Sequence, residues 1–354
     1  MTPNLPAITG IGSVSPHGTL AGLIPPCVEE PEFITAWTTA GMRRAFLVKP
    51  FRPASVVPSL KTRRLDRLSA WALVASSLAI QDAGIDLSQF DRSRVAVVFG
   101  TGFGCAELTE AFLQSAAANG WSGTDPSPFP EGLANAPASH VALWHGLRGP
   151  NITVGSKGFA GETALIQAAS LLRHGLADLA IVLAGDTLTR TVYEWYEAAG
   201  LLSPACYNSE PLPEGGGFVP SEGVAALVLE LAGQRETRAY ARFCSGRWSG
   251  GSPVSGGRTA ETIRQMLGGS LPSLIICAGD GTPCAPGSIA DLAREIGGAN
   301  TEIVPARAVG AGLADAGALL HLILALSSRP RRGPALLLGT SGDGGFAALR
   351  LEIP

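Results

Sequence analysis

The chain has little charge and no excess of positive charge. Of its 354 residues only 16% are charged, and the formal net charge is -3 with a pI near 6.0. Nucleic acids and anionic membranes are bound through basic surfaces, which this balance does not supply. Composition therefore argues against a nucleic-acid-binding protein and predicts no membrane partner.

Long apolar runs and metal-binding cysteine pairs are also missing. The six cysteines form no C-x-x-C pair, and a chain of this length needs no disulfides to stabilise its core. No apolar run reaches about 18 residues, and no basic N-terminal start leads into an apolar segment. We expect a reduced, cytoplasmic protein without a transmembrane span, a bound metal or a cofactor.

What the sequence does contain is abundant apolar residues, with glycine and proline spread throughout. Apolar residues make up 46% of the chain, and the 45 glycines and 26 prolines follow no period. β-Rich runs alternate with helical patterns: residues 95–99 precede a pattern at 107–118, and residues 179–184 precede one at 191–199. This alternation predicts a mixed α/β fold with buried strands.

The segment from residue 149 to residue 175 has the setting of a buried nucleophile but no nucleophile. Residues 152–154 predict a short strand, small residues follow, and a helical pattern then runs to Gly175. In such a strand, turn and helix, backbone N–H groups converge on the turn and favour a thiolate or an oxyanion. Gly158, in that turn, has no side chain to use them.

This turn resembles the nucleophile turn of β-ketoacyl synthases. In that family a Gly-Pro-Asn lead, here residues 149–151, is followed by a reactive Cys among small residues, and the matching position is Gly158. The motifs of the two catalytic His residues are matched as well, and their His positions hold Ala278 and Ala311. The resemblance thus implies three vacated catalytic positions.

Other motifs of the family extend the resemblance over nearly the whole chain. They match residues 8–18, 65–69 with 82–85, 95–104, 217–230 and 342–346. The resemblance implies the thiolase fold, an α/β architecture of two related halves in αβαβα layers. We expect an N-terminal half over residues 1–240 and a C-terminal half over residues 241–354.

Decarboxylative condensation requires a thiolate to hold the acyl chain and donors to stabilise the enolate. Gly158, Ala278 and Ala311 supply no side-chain group for either task, so no autonomous condensation is expected. Cys105 and His321 are expected to be buried core residues rather than replacements. The sequence shows no new catalytic site, no cofactor site and no metal site.

An intact scaffold with an emptied active site resembles the chain-length factor, the inactive β subunit of type II polyketide synthases. The resemblance implies a heterodimer with an active ketosynthase α subunit, which bounds the tunnel for the growing chain and meets acyl carrier protein through the complex. Gly158, where Gln is common in such subunits, is compatible with the highly reducing, polyene-forming branch.

The resemblance also places the residues after the Gly-Thr-Gly loop at the tunnel floor and the subunit interface. They map to Ala106, Thr109 and Leu113, which share one face of a helix because they lie three and four residues apart. The alternative is that this face is ordinary core.

Two other functions stay open at this point. One is a stand-alone decarboxylase or acyl hydrolase in a remodelled pocket, which would need a convergent acid–base pair near Gly158. The other is a non-enzymatic homodimer that binds acyl groups.

Overall fold

The computed structural model describes most of the chain. The described residues are 5–23, 32–34, 43–156, 158–202, 206, 219–233, 238–249, 256–278, 289–304, 317–328, 332–341 and 345–354. The strands are β1 (Pro6–Ser15), β2 (Gly18–Ala21), β3 (Glu32–Ile34), β4 (Arg43–Ala45), β5 (Val95–Thr101), β6 (Asn151–Gly155), β7 (Leu179–Asp186), β8 (Gly223–Leu231), β9 (Ala241–Ser249), β10 (Leu274–Cys277), β11 (Glu302–Val304), β12 (Gly333–Thr340) and β13 (Phe346–Ile353). The α-helices are α1 (Pro53–Val56), α2 (Arg67–Asp82), α3 (Ala106–Asn119), α4 (Ala136–His145), α5 (Ala160–Arg173), α6 (Arg190–Ala198), α7 (Gly256–Leu267), α8 (Ile289–Ile296) and α9 (Gly317–Ser328).

The strands of the main sheet repeat one order twice. The first section runs β1-β8-β7-β5-β6 and the second runs β9-β13-β12-β10-β11, with the same antiparallel and parallel pairs in each. The two sections join where β1 pairs with β9, at Ile8 and Ala241. Residue 240, the boundary predicted from the sequence, lies between β8 and β9, and we propose the two halves as domains on this basis.

Helices cover and separate the two sections of the sheet. Helix α2 packs on β1 and β8, and α4 packs on α2, which forms one outer layer. Helices α7 and α8 form the other outer layer on β10, β12 and β13. Helices α5 and α9 each contact strands of both sections, so they form the middle layer. The five-layer αβαβα arrangement expected from the sequence is confirmed.

The sequence explains where these elements form. Strands β5 and β7 are parallel neighbours buried along their whole length, as their apolar runs predicted. Helix α2 begins where the Asp66 carboxylate accepts a hydrogen bond from the Leu68 amide. Helix α3 begins at Ala106, one residue before the predicted start, and α6 begins at Arg190, also one residue early.

The contact between β1 and α2 permits no side chain at two glycines. A Cβ atom at Gly12 would lie 2.2 Å from the Ala75 carbonyl oxygen, and one at Gly10 would lie 2.2 Å from the Ala79 carbonyl oxygen. Residues 8–18, the first motif of the family resemblance, therefore form a packing surface for α2.

We expect Gly12→Ala to destabilise the fold by about 1–3 kcal/mol, because its methyl group would push α2 off the sheet. The free energy of unfolding in urea measures this loss. Gly155→Ala is the control, since a Cβ at Gly155 meets nothing within 4 Å. Equal stability of the two variants would contradict the close contact.

Candidate functional site

The turn predicted to have lost its nucleophile lies at the N-terminus of α5, between the two sections of the sheet. Gly158 follows β6 with φ +90°, a backbone conformation that residues with a side chain rarely adopt. A Cβ atom there would lie 2.3 Å from the Ser341 Cβ, at the end of β12. The position therefore lacks a side chain and also lacks the space for one.

Glycines keep the same end of α5 close to both sections of the sheet. A Cβ at Gly100, on β5, would lie 2.4 Å from the Ala160 carbonyl oxygen. A Cβ at Gly345, next to β13, would lie 2.7 Å from the Ser341 Oγ. Backbone and Ser341 thus pack closely around this end of α5 from both sections of the sheet.

The structure describes one of the two predicted His positions. Ala278 is buried just after β10, and its amide donates a hydrogen bond of 2.7 Å to the Leu338 carbonyl oxygen. Ala278 lies near the turn. A Cβ at Gly339 would be 3.0 Å from the Ala278 carbonyl oxygen, and Gly339 is two residues before Ser341, which contacts Gly158. Ala311 lies outside the described residues.

This region also contains a buried carboxylate, which was not among the residues predicted from the sequence. Glu162 is 1% exposed in the first turn of α5, where the helix dipole favours a negative charge. Its Oε1 would lie 2.0 Å from a Cβ at Gly339. The sequence signal that could have identified Glu162 is an acidic residue in an otherwise apolar first turn of a predicted helix.

Cys105 and His321, which were considered as replacements, are buried, and so is Cys277. Cys105 is 1% exposed, and burial raises the pKa of its thiol. Burial also raises the pKa of Cys277 to about 12, so neither thiol forms a thiolate near neutral pH. His321 is buried in α9, as expected.

The predicted tunnel residues lie on a helix whose first turn is tightly anchored. Asp186, at the end of β7, accepts hydrogen bonds from the Thr101 hydroxyl and from the amides of Gly102 and Phe103. Asp66 accepts from the Leu108 amide, and burial raises the pKa of Asp66 against the lowering effect of its amide partners. Two buried carboxylates thus fix the loop before α3 and the start of the helix.

The three tunnel residues are not ordinary core in the isolated chain. Ala106 is half-buried and packs against the cluster of Leu188, Tyr193 and Tyr196. Thr109 is exposed and donates a hydrogen bond of 2.8 Å to the Gly132 carbonyl oxygen. Leu113 is 52% exposed. Their roles in a tunnel stay a prediction.

The described residues offer no metal site and no membrane span. No group of three His, Cys, Asp or Glu side chains among them is placed to hold a metal ion. No helix in this part of the chain is both long and apolar enough to cross a membrane.

The five-layer fold defines a class of protein, the thiolase-like ketosynthases, and Gly158 as the nucleophile position of that class stays a prediction. Residues 37–234, more than half of the chain, match the family described as Beta-ketoacyl synthase, N-terminal domain. The chain belongs to the β-ketoacyl synthase family.

Two curated relatives illustrate the degree of similarity. The 3-oxoacyl-[acyl-carrier-protein] synthase 2 of Vibrio cholerae is 28% identical over 239 residues, which are 63% of this chain and 57% of that protein. Nodulation protein E of Rhizobium leguminosarum bv. trifolii is 29% identical over 180 residues, or 50% of this chain and 44% of that protein. The chain thus spans about half the length of these relatives.

Solved structures match over almost the whole chain. A β-ketoacyl synthase from Burkholderia phymatum has a TM-score of 0.82 at 18% identity, covering 99% of this chain and 100% of that one. The ishigamide ketosynthase/chain length factor has a TM-score of 0.76 at 22% identity, covering 99% of both chains. At these identities the likeness shows the fold, which is that of the thiolase-like ketosynthases.

Replacing Gly158 by Cys is expected not to restore a reactive thiol. The strained φ and the Ser341 contact should cost about 2–4 kcal/mol of unfolding free energy. We expect no stoichiometric adduct by intact-protein mass after exposure to an acyl-carrier thioester. Gly158→Ala measures the steric cost without the thiol.

Gly155→Cys is the matched control, at the exposed end of β6 with nothing near its Cβ. It should fold like the parent and react with iodoacetamide. A stable Gly158→Cys protein that is fully acylated at residue 158 would show that the turn is not closed.

Proposed function

We propose that this chain is a non-catalytic chain-length factor that pairs with an active ketosynthase in type II polyketide biosynthesis. The closed turn at Gly158 carries the proposal. A chain with neither a thiolate nor space for one cannot hold an acyl group covalently at that position. Its intact scaffold is then useful as part of a larger assembly, in which acyl carrier protein meets the active subunit.

The surface around α3 and α4 supports a partner subunit. Six large apolar side chains between residues 106 and 145 are exposed, and together they form what we call the α3–α4 surface: Leu113, Trp121, Phe129, Leu133, Leu143 and Trp144. Phe112 links this surface, since its ring lies 6.4 Å from the Trp121 ring and 5.6 Å from the Phe129 ring. Exposed large apolar residues on neighbouring elements are typical of protein interfaces.

The edge of the main sheet lies beside this surface. Strand β6 is the last strand of its section and pairs only with β5 among the described strands. Helix α4 contacts β6, and the strand is half-buried or exposed along its length. An open strand edge next to an apolar surface favours pairing with a second subunit. We expect such an obligate interface to bury more than about 2,000 Å².

The name of one structural neighbour agrees with this proposal. The ishigamide protein is a ketosynthase/chain length factor, and its fold covers this chain from end to end. The Vibrio cholerae relative is named as a synthase, so the proposal rests on the closed turn at Gly158 and not on that name.

We expect co-expression with an active ketosynthase to yield a complex of one subunit each. Size-exclusion chromatography with light scattering measures the stoichiometry. Leu143→Glu places a charge on a side chain that is 76% exposed in the α3–α4 surface, and should weaken the complex at least tenfold. Leu176→Glu, at a side chain that is 58% exposed elsewhere, should not.

A stable homodimer that ignores the ketosynthase would refute this pairing and favour the acyl-binding homodimer. Equal weakening by Leu143→Glu and Leu176→Glu would show that the α3–α4 surface is not the interface.

We expect Ala106→Phe to shorten the product by one or more extension cycles. A phenyl ring adds about 150 Å² or more of surface at a half-buried position that faces the proposed tunnel. Leu113→Ala should leave the product unchanged or lengthen it, and because Leu113 is half exposed it should cost little stability. Product mass from the reconstituted pair measures both effects, after the yield of heterodimer is checked.

Ala118→Phe is the control, because Ala118 is exposed on the opposite side of α3. An unchanged product from a well-assembled Ala106→Phe pair would show that this helix does not bound the growing chain.

A further inference from the structure

A cavity outside the vacated site lies between the chain before α1, the start of α2, and α3. Its volume is about 520 Å³, within the range of small-molecule sites. It is lined by Val48, Lys49, Pro50, Phe51, Pro53, Thr62, Leu65, Asp66, Arg67, Ala70, Trp71, Glu107, Leu108 and Ala111. Neither the closed turn nor the tunnel residues contribute to this lining.

The interior of the cavity offers apolar contact. Phe51, Leu65, Trp71 and Leu108 supply aromatic and aliphatic surface. The polar groups of its floor already have partners. Asp66 accepts hydrogen bonds from two backbone amides, and Arg67 pairs with Glu107 and the buried Glu222. Binding of a ligand is therefore favoured most when the ligand buries an apolar chain in the cavity.

The lining includes the exposed Lys49, and further exposed cations flank the lining residues in the sequence. Arg52, Lys61, Arg63 and Arg64 are exposed and lie next in sequence to the lining residues Phe51, Pro53, Thr62 and Leu65. No ion pair joins these four cations to a carboxylate in the described part of the chain. Glu107, the exposed carboxylate of the lining, is already engaged by Arg67. In a chain of net charge -3 this local excess favours an anionic group at the mouth.

We infer that this cavity is a second binding site, for a small amphipathic anion. The ligand is an acyl chain that ends in a carboxylate or a phosphate. Its chain lies against Phe51, Trp71 and Leu108, and its head group is held by the cations of the mouth.

The cavity and the proposed tunnel lie on opposite faces of α3. At 100° per residue, Glu107, Leu108 and Ala111 point to one side of the helix. Ala106, Thr109 and Leu113 point to the other. The inference thus goes beyond the proposed function and can succeed or fail independently of it.

Isothermal titration of the full chain, alone or in its copurified complex, tests the inference with decanoate, decyl phosphate and decanol. At least one of the two anions should bind ten or more times more tightly than decanol, and comparison of the two anions identifies the preferred head group. Ala111→Trp, which fills the cavity from α3, should weaken that binding at least tenfold. Arg63→Ser with Arg64→Ser should weaken it three- to tenfold and reduce its salt dependence.

Three control variants separate this site from other causes. Ala118→Trp adds the same ring elsewhere on α3, Arg148→Ser removes an exposed cation near the opposite end of β5, and Ala106→Phe changes the other face of the helix. All three should bind the anion like the parent.

Absence of binding at millimolar ligand, equal affinity for decanol, or parental affinity in a folded Ala111→Trp protein would overturn the inference. Ala70→Met, at a buried wall residue, provides a second filling variant.

Discussion

The close approach of α5 to both sections of the sheet is the constraint on which the rest of this structure depends. Gly100, Gly158 and Gly339 each meet a neighbour at a distance that no Cβ atom could tolerate. These contacts hold the middle layer between the two repeated sections. The contact between Gly158 and Ser341 also occupies the position at which the resemblance predicts a thiol. The packing of the core and the absence of a side chain at residue 158 therefore have the same physical cause.

Much of the fold could be predicted from the sequence because its signals are local. The apolar runs of β5 and β7 and the helix ending near Gly175 each depend on neighbouring residues. The boundaries were correct to within about two residues. The two related, layered halves followed from the resemblance to a known family, since periodicity alone does not specify which strands pair.

The candidate site was predicted only in part. The glycine at residue 158 could be read directly from the sequence. Its contact with Ser341 could not, because that contact joins the two halves of the chain and depends on how they pack. Glu162 was missed because one acidic residue in a helical pattern usually marks an exposed face. The cavity beside α3 could not be foreseen either, because its walls come from three segments whose distances the sequence does not contain.

The contact between Gly158 and Ser341 also bears on how such a chain can evolve. The Ser341 Cβ lies where a side chain at residue 158 would begin. A Gly158→Cys mutation therefore meets that neighbour, and a well-placed thiol here requires at least one compensating change first. The two positions are epistatic, because the effect of a substitution at residue 158 depends on the side chain at residue 341.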